Sequence, residues 1–455
     1  MKHFCLSYLW VIILSVQSCS PSKETKPLAD SSVILTETDT LCLRINPSTT
    51  QMISYINPYL EGDDFRMACL SRNGSGISIL DLTSERELTA IPIFRKGPDA
   101  VDLPDVKAIV HVGPDSTILY EYWTRTLSCV NNSGHIVWRD TLSDISAVHA
   151  SYSYTPIATT PAPLTKYKDG WLTATQTSGT STDNEPIHTM AIYNADGLPT
   201  AQFADYPEIY GNPSPIRWNL FLYLIPSFTI DSKNNIIVSF PASDSIRVYG
   251  HNLEYTPFYA GYSKAEVPSP SENALIDQSH ALDNYAYTTI LYDPHNALYY
   301  RIVACPVNDT NATPIQGQAI PRPLAIVVLD SEFNKVGEYA VDNYSGSYSQ
   351  VFVSPKGLHI HSYSDNDDIL KFRTFTPMER SKYSSSHKPS RCHKCYIHKK
   401  KNLNLMAHNN HPKKHQEESA QSLYPPNSTG RTWAAIIITI LIIGAGVWAF
   451  SYLIG

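Results

Sequence analysis

Four aspartates, Asp63, Asp64, Asp102 and Asp105, stand just ahead of apolar runs, and grouped carboxylates of this kind can hold a divalent cation. If both pairs open the innermost strands of a ring of sheets, they crowd one rim. The chemistry would then be metal-assisted hydrolysis of the lactonase kind. The later inner strands, opening at Phe228, Thr289 and Val351, bring no matching acids, which counts against that use. His359 and His361 lie two apart on a predicted strand and so share one face. A metal would need a third ligand from elsewhere, and two histidines on a solvent-facing edge is the simpler reading. Asp365-Asn366-Asp367-Asp368 offers clustered oxygens but lacks the glycine and distal glutamate of a calcium loop, so a solvated acidic turn is favoured. Tyr154, Tyr210 and Trp218 lie in aromatic loops that could stack on sugars or on a partner's side chains, or could simply fill the gaps between sheets. Cys392-His393-Lys394-Cys395 with His398, His408 and His411 has zinc-like spacing, but its second pair departs from the usual His-x₃₋₅-His and disorder is favoured. No Gly-x-Ser-x-Gly elbow, phosphate loop or His-Glu-x-x-His helix accompanies these groups.

The elements that must position these residues are strands. From about residue 33 to 375, short apolar runs are broken by Gly, Pro, Asn and Asp at the spacing of an all-β protein. The clearest unit runs Phe228-Thr229-Ile230, a turn at Asp231 to Asn234, Ile236 to Phe240, a turn at Ser243 to Ser245, Ile246 to Tyr249, a turn at Gly250 to Asn252, and Tyr255 to Tyr259. Second strands are expected near residues 77, 118, 171, 236, 298 and 358, the first of them in a worn copy built from Phe65 to Leu70 and Ile77 to Leu82. A period of roughly 50 residues in four-stranded units predicts a six-bladed β-propeller, with a two-sheet sandwich array as the competing architecture. The last unit shows three strands, and Val33 to Leu35 or Leu41 to Leu43 is free to complete it and close the ring. Glu266 to Asp283 breaks the pattern and suggests a short helix.

The chain ends carry addresses. Lys2, the apolar stretch Phe4 to Val16 and the small residue Ser18 before Cys19 form a lipoprotein signal over residues 1–18. Cleavage would place a lipid on Cys19, followed by a tether over 19–32. Residues 376–432 carry 11 Lys and Arg against 3 Glu and read as a basic, His-rich disordered tail. Trp433 to Ile454 is uncharged, flanked by aromatics and long enough for a transmembrane helix. Its basic flank would be cytoplasmic by charge and exported by the signal. That conflict suggests either a second anchor or a small membrane protein fused onto the propeller. The first 375 residues hold 24 basic and 39 acidic side chains, which excludes a nucleic-acid-binding face. Cys42, Cys69, Cys129 and Cys305 sit in apolar runs and read as buried free thiols.

Arg95-Lys96-Gly97-Pro98-Asp99, followed by a strand, an Asp-Ser turn and an Asn-Ser-Gly turn, resembles the TolB-like six-bladed propeller lipoproteins of Gram-negative bacteria, which carry a domain of unknown function. The resemblance implies a propeller and an envelope location. It brings no catalytic residues with it. The expected function is therefore a membrane-anchored envelope propeller that binds a protein partner or ligand without catalysis. A metal-dependent lactonase-like hydrolase and a glycan-binding lipoprotein are the alternatives.

Overall fold

The computed structural model describes residues 32–379, apart from 48, 72–75, 103–104, 147–152, 179–186, 212–216, 219, 272–277, 308–321 and 342–343. Cys19, the basic tail and the expected span 433–454 lie outside the described residues. Among the described residues, no helix is long and apolar enough to cross a membrane.

Among the described residues, twenty-six strands follow one another: β1 (Val33–Arg44), β2 (Ile53–Glu61), β3 (Asp64–Ser71), β4 (Gly76–Asp81), β5 (Arg86–Pro92), β6 (Val106–Gly113), β7 (Ser116–Glu121), β8 (Thr126–Val130) and β9 (Ile136–Thr141). Next come β10 (Ile145–Ser146), β11 (Ser153–Ile157), β12 (Thr165–Tyr167), β13 (Gly170–Ser178), β14 (His188–Tyr193) and β15 (Pro199–Asp205). The chain continues with β16 (Ser227–Ile230), β17 (Ile236–Ser239), β18 (Ser245–Tyr249), β19 (Tyr255–Tyr259), β20 (Ala286–Asp293), β21 (Leu298–Ala304), β22 (Leu324–Leu329) and β23 (Lys335–Val341). It ends with β24 (Val351–Ser354), β25 (Gly357–Ser362) and β26 (Ile369–Glu379). Short α-helices α1 (Leu220–Tyr223) and α2 (Gln278–Asp283) precede β16 and β20.

Sheet I has eight strands in the order β2-β3-β4-β5-β1-β26-β25-β24, and the strand ladders of its two four-stranded halves are joined by the single parallel bridge Arg44↔Arg86. Sheet II is β6–β9, sheet III is built on β10-β11-β13-β14-β15 with β12 beside β13, sheet IV is β16–β19 and sheet V is β20–β23. Clusters of buried side chains run in sequence between neighbouring sheets and return to the start, where Leu41, Leu43, Phe352 and Phe372 of one half of sheet I meet Ile56, Met67 and Leu80 of the other. The arrangement is propeller-like and closed. β1 makes the closure, pairing antiparallel with β26 from Val33↔Glu379 to Arg44↔Ile369, with the Glu37 carboxylate taking two hydrogen bonds from the Arg373 guanidinium (2.7 and 2.6 Å). The N-terminal closure expected from Val33 to Leu43 is therefore the one formed.

Burial follows position in each sheet. In sheet V every residue of β21 and β22 is buried because both faces are covered by neighbours, whereas the rim strand β9 is largely exposed. Local chemistry cuts the strands. Five turns share one hydrogen-bond pattern, at Asn131–His135, Asn194–Leu198, Asp231–Asn235, Gly250–Glu254 and Asp330–Asn334. In each, the first residue's N–H reaches the fifth residue's carbonyl, and the fourth residue's N–H returns to the first carbonyl. The fourth position is left-handed in all five, filled by Gly134, Gly197, Asn234, Leu253 and Phe333. Asp231 and Asp330 add a side-chain oxygen that accepts two backbone N–H groups within the turn.

One unit differs from the sequence reading. The second strands start at 64, 116, 170, 236, 298 and 357, so Ile77 belongs to a third strand and the first unit opens at Ile53. β2 was hidden by Asn57-Pro58-Tyr59, which interrupts any apolar run. The thiols of Cys42, Cys69, Cys129 and Cys305 are unpaired.

Candidate functional site

Among the first strands, β2 neighbours β6, β16 neighbours β20 and β20 neighbours β24, and the starts of β2, β16 and β24 gather at residues 158–164, the upper mouth, with β6 running alongside β2. Their shift of register is fixed by side chains that satisfy a neighbour's backbone. Asn57 Oδ1 accepts the His111 N–H (2.9 Å), and Thr229 Oγ1 accepts the Tyr292 N–H (3.2 Å).

The four aspartates do not meet. Asp63 and Asp64 occupy the exposed turn between β2 and β3, at the lower end, where Asp64 pairs with Arg66 (3.4 Å). Asp102 and Asp105 precede β6 at the upper mouth. A nine-residue strand, about 30 Å long, separates the two pairs, far beyond what one cation can bridge. The sequence reading placed Asp63 and Asp64 before an inner strand, but the strand they open is the second of its sheet. Asp105 is buried, and both its carboxylate oxygens accept the Trp123 N–H (3.0 and 2.8 Å). The Asp102 N–H donates to Glu121 Oε2 (3.2 Å), and Ser128 Oγ donates to Glu121 Oε1 (3.1 Å). These acids build a turn.

Tyr154, Tyr210 and Trp218 are all core residues, so none presents a ring to a ligand. Trp218 Nε1 donates to the Tyr210 carbonyl (3.2 Å), the Tyr210 hydroxyl donates to the Tyr223 carbonyl (2.8 Å), and the Tyr223 hydroxyl donates to the Tyr285 carbonyl (3.0 Å). Burial holds the Tyr210 phenol well above its ordinary pKa. The aromatic loops before β16 fold inward because adjoining sheets leave a gap that only large rings fill.

His359 and His361 are also buried rather than solvent-facing, at 1 % and 2 % exposure. Sheet I is covered on both faces here, so the alternation of β25 has no wet side. His359 bonds Ser354 Oγ through Nε2 (2.7 Å) and Thr374 Oγ1 through Nδ1 (3.0 Å), and stacks on Phe352 with centroids 4.5 Å apart. His361 Nδ1 accepts the Ser347 N–H (3.2 Å). Desolvation lowers their pKa values to about 3 for His359, where Lys356 adds to the effect, and about 4 for His361. The Asp365–Asp368 turn is held by Gln51, whose Nε2 donates to the Ser364 and Asn366 carbonyls (3.2 and 2.9 Å). Among the described residues no three metal-capable side chains come together.

Two features of the upper mouth were not visible in the sequence. Residues 158–164 interrupt the strand that pairs with β13, between β11 and β12, and reach first strands of other sheets. Thr160 Oγ1 accepts the Ile56 N–H (3.2 Å) and donates to Gln350 Oε1 (3.0 Å), while Gln350 Nε2 donates to the Ser54 carbonyl (3.3 Å). The Pro161 carbonyl accepts the Phe228 N–H (3.1 Å). The loop thus ties sheets I, III and IV together across the axis. The second feature is Trp123, which stands 77 % exposed on the turn that Asp105 braces.

Residues 35–340, from within β1 to within β23, match the family described as a domain of unknown function, DUF4221. The chain belongs to this family. No curated protein matches it. A DUF4221 member from Bacteroides vulgatus is 16% identical and superimposes with a TM-score of 0.63, covering 77% of this chain and 99% of that one. A candidate exported protein from Bacteroides fragilis (10% identical, TM-score 0.47, 78% and 98% covered) and virginiamycin B lyase from Staphylococcus aureus (11%, 0.32, 74% and 99%) are more distant. The first likeness shows that this DUF4221 chain shares a propeller-like fold with its relative. The other two are too remote to carry a functional argument.

Proposed function

We propose that this DUF4221 chain is a six-bladed propeller of the TolB-like kind, lipid-anchored at Cys19 in the cell envelope, that binds a protein partner or ligand without catalysis of its own. The two halves of sheet I, taken as separate blades with sheets II to V, support the count of six. The observation that carries the binding reading is the upper mouth. Residues 158–164 hydrogen-bond the starts of β2 and β16 and Gln350 ahead of β24, so one loop braces the mouth and offers a surface on which a partner could rest. Rigid surfaces of this kind lose little entropy on binding. A metal-dependent hydrolase would need Asp63, Asp64, Asp102 and Asp105 in one place. A glycan platform would need exposed rings other than Tyr154, Tyr210 and Trp218. The acidic body supports a partner other than nucleic acid. Residues 433–454 remain proposed as a second anchor or a fused membrane segment, and deletion of 376–455 separates these. If the tail is a fusion, the shortened chain still folds and stays membrane-bound.

The test is an assay of the purified full chain against a panel of lactones with and without divalent cations, together with crosslinking in intact cells. The proposal expects no turnover and a discrete crosslinked species. Metal-dependent turnover abolished by Asp64→Asn would overturn it.

A further inference from the structure

A cavity of about 200 Å³ opens at one end of sheet V, by the row that Ala286, Ala304, Leu324 and Val341 form across its four strands. The Tyr287 N–H donates to the Pro241 carbonyl (2.9 Å) just past β17, so this end lies beside the start of β16, on the side of the upper mouth. Tyr262 follows β19 and Tyr285 precedes β20, and both line the cavity, with ring centroids 6.4 Å apart at 55°. Cys305, Pro306 and Pro323 line it between β21 and β22. Hydrogen bonds pin these walls. The Tyr262 N–H donates to the Tyr287 hydroxyl (3.0 Å), and the Cys305 N–H donates to the Pro323 carbonyl (2.8 Å). The buried Arg322 guanidinium donates to the carbonyls of Cys305 (2.8 Å), Asn284 (2.7 Å) and Ala304 (3.3 Å). A backbone held at these points resists collapse into the hole.

Size and charge select the ligand. An engineered cavity of about 150 Å³ holds benzene, whereas drug-sized ligands occupy about 300–1,000 Å³. A hole of about 200 Å³ therefore takes one ring with a small substituent and excludes a disaccharide or a nucleotide. The lining carries no ionised side chain at neutral pH. Burial pushes the Tyr262 phenol up to about 12 and the Cys305 thiol up to about 11, and it raises the Tyr285 phenol as well. A thiol held protonated is a poor nucleophile and a poor metal ligand, so Cys305 serves as wall. The charges that act from outside the lining, Arg322 and Lys264 on Cys305 and Glu338 and Glu266 on the tyrosines, are two of each sign. An ion entering here would give up its hydration without a counter-charge in the lining. A neutral ring avoids that cost and gains aromatic side chains to pack on. Cys305 and Tyr285 are partly exposed, so the cavity is open to solvent. We infer that this cavity binds a small neutral molecule built on a single planar ring, seated against Tyr262 and Tyr285. The inference rests on the binding reading above and names its ligand class.

Benzyl alcohol is the neutral probe, and benzoate and benzylamine, of the same ring and size but charged, are the counter-probes. The full chain in detergent is alkylated with iodoacetamide in mildly alkaline buffer, and modification of the Cys305 peptide is followed by mass spectrometry. Benzyl alcohol is expected to slow alkylation of Cys305 saturably, and the charged rings are not. Its apparent affinity should fall about tenfold in Tyr285→Ala, which loses one aromatic wall. Ala340→Phe, at an exposed position in the lining, should fill the hole and abolish protection. Both variants replace partly or fully exposed side chains and should melt with the wild type, which shows that a lost effect is not unfolding. No saturable protection in the wild type, equal protection by the charged rings, or undiminished protection in either variant would overturn the inference. So would protection that appears only once residues 308–321 are replaced by a Gly-Ser linker, because the chain itself then fills the cavity. If a partner still crosslinks in cells while benzyl alcohol fails to protect, the cavity is refuted and the binding function stands. Metal-dependent lactone turnover would instead remove the binding function itself.

Discussion

Acidification should loosen the closing half of sheet I, and two residues set the size of the effect. His359 and His361 are buried as neutral imidazoles on β25, with pKa values pulled down by desolvation to about 3 and about 4 from the ordinary 6.5. The unfolded chain therefore takes up protons that the folded chain refuses, and stability is lost as pH falls below about 6.5. The loss keeps growing until the folded values are reached. At pH 5 each histidine is about 1.5 units below its unfolded pKa, equivalent to about 2 kcal/mol, so the pair removes about 4 kcal/mol relative to neutral pH. That is a large share of a domain stability of about 5–15 kcal/mol. Urea unfolding of the full chain in detergent, followed by tryptophan fluorescence at pH 7, 6 and 5, measures it. Carboxylates titrate too, so the diagnostic quantity is the difference between wild type and the His359→Gln/His361→Gln variant. The variant should start less stable but lose about 4 kcal/mol less between pH 7 and 5. An identical pH dependence in both would refute the burial argument.

Three further outcomes follow from individual residues. Lys168 is an exposed turn residue at φ 53°, so Lys168→Gly should raise stability by about 0.5–1 kcal/mol in the same urea assay, and a decrease would contradict the assigned backbone. Arg301 is wholly buried, 3.7 Å over the Tyr287 ring, and donates to Ser239 Oγ and to the carbonyls of Ala260, Phe240 and Ser243. Arg301→Leu strands these acceptors between sheets IV and V and should cost about 3 kcal/mol or more of unfolding free energy, whereas a loss under 1 kcal/mol would show that they find other partners. Labelled palmitate should enter the wild type and not Cys19→Ala, and an unlabelled wild type would refute the lipid anchor.

Strand turns were legible because their chemistry is local. Asp231 and Asp330 announce turns with oxygens that cap their own backbone, and Gly134 and Gly197 fill left-handed positions that any reader of sequence can place. Phe333 and Leu253 take the same left-handed conformation without any such signal, imposed by the ladders on either side. The first unit was misread because Pro58 sits inside β2, where its missing N–H removes the usual strand signature. Burial was the least legible property. His359, His361, Tyr154, Tyr210 and Trp218 all look capable of meeting solvent, and each is buried by packing that sequence pattern does not reveal. The closing loop left only a faint trace, two prolines at 161 and 163 beside Thr159 and Thr160, within an otherwise regular strand pattern. In the sequence, Trp123 does no more than end the apolar run that opens at Ile118. Its exposure depends on Asp105, eighteen residues earlier, gripping its backbone.

Binding at the upper mouth, the proposed function, can be tested directly. Placing a photo-crosslinking residue at Thr124, on the exposed turn beside Trp123, and separately at Asp63, in the lower turn between β2 and β3, tests it in intact cells. A discrete crosslinked partner is expected from position 124, lost in the Trp123→Ala background, and none from position 63. Crosslinks from position 63 alone, or from neither position, would contradict it.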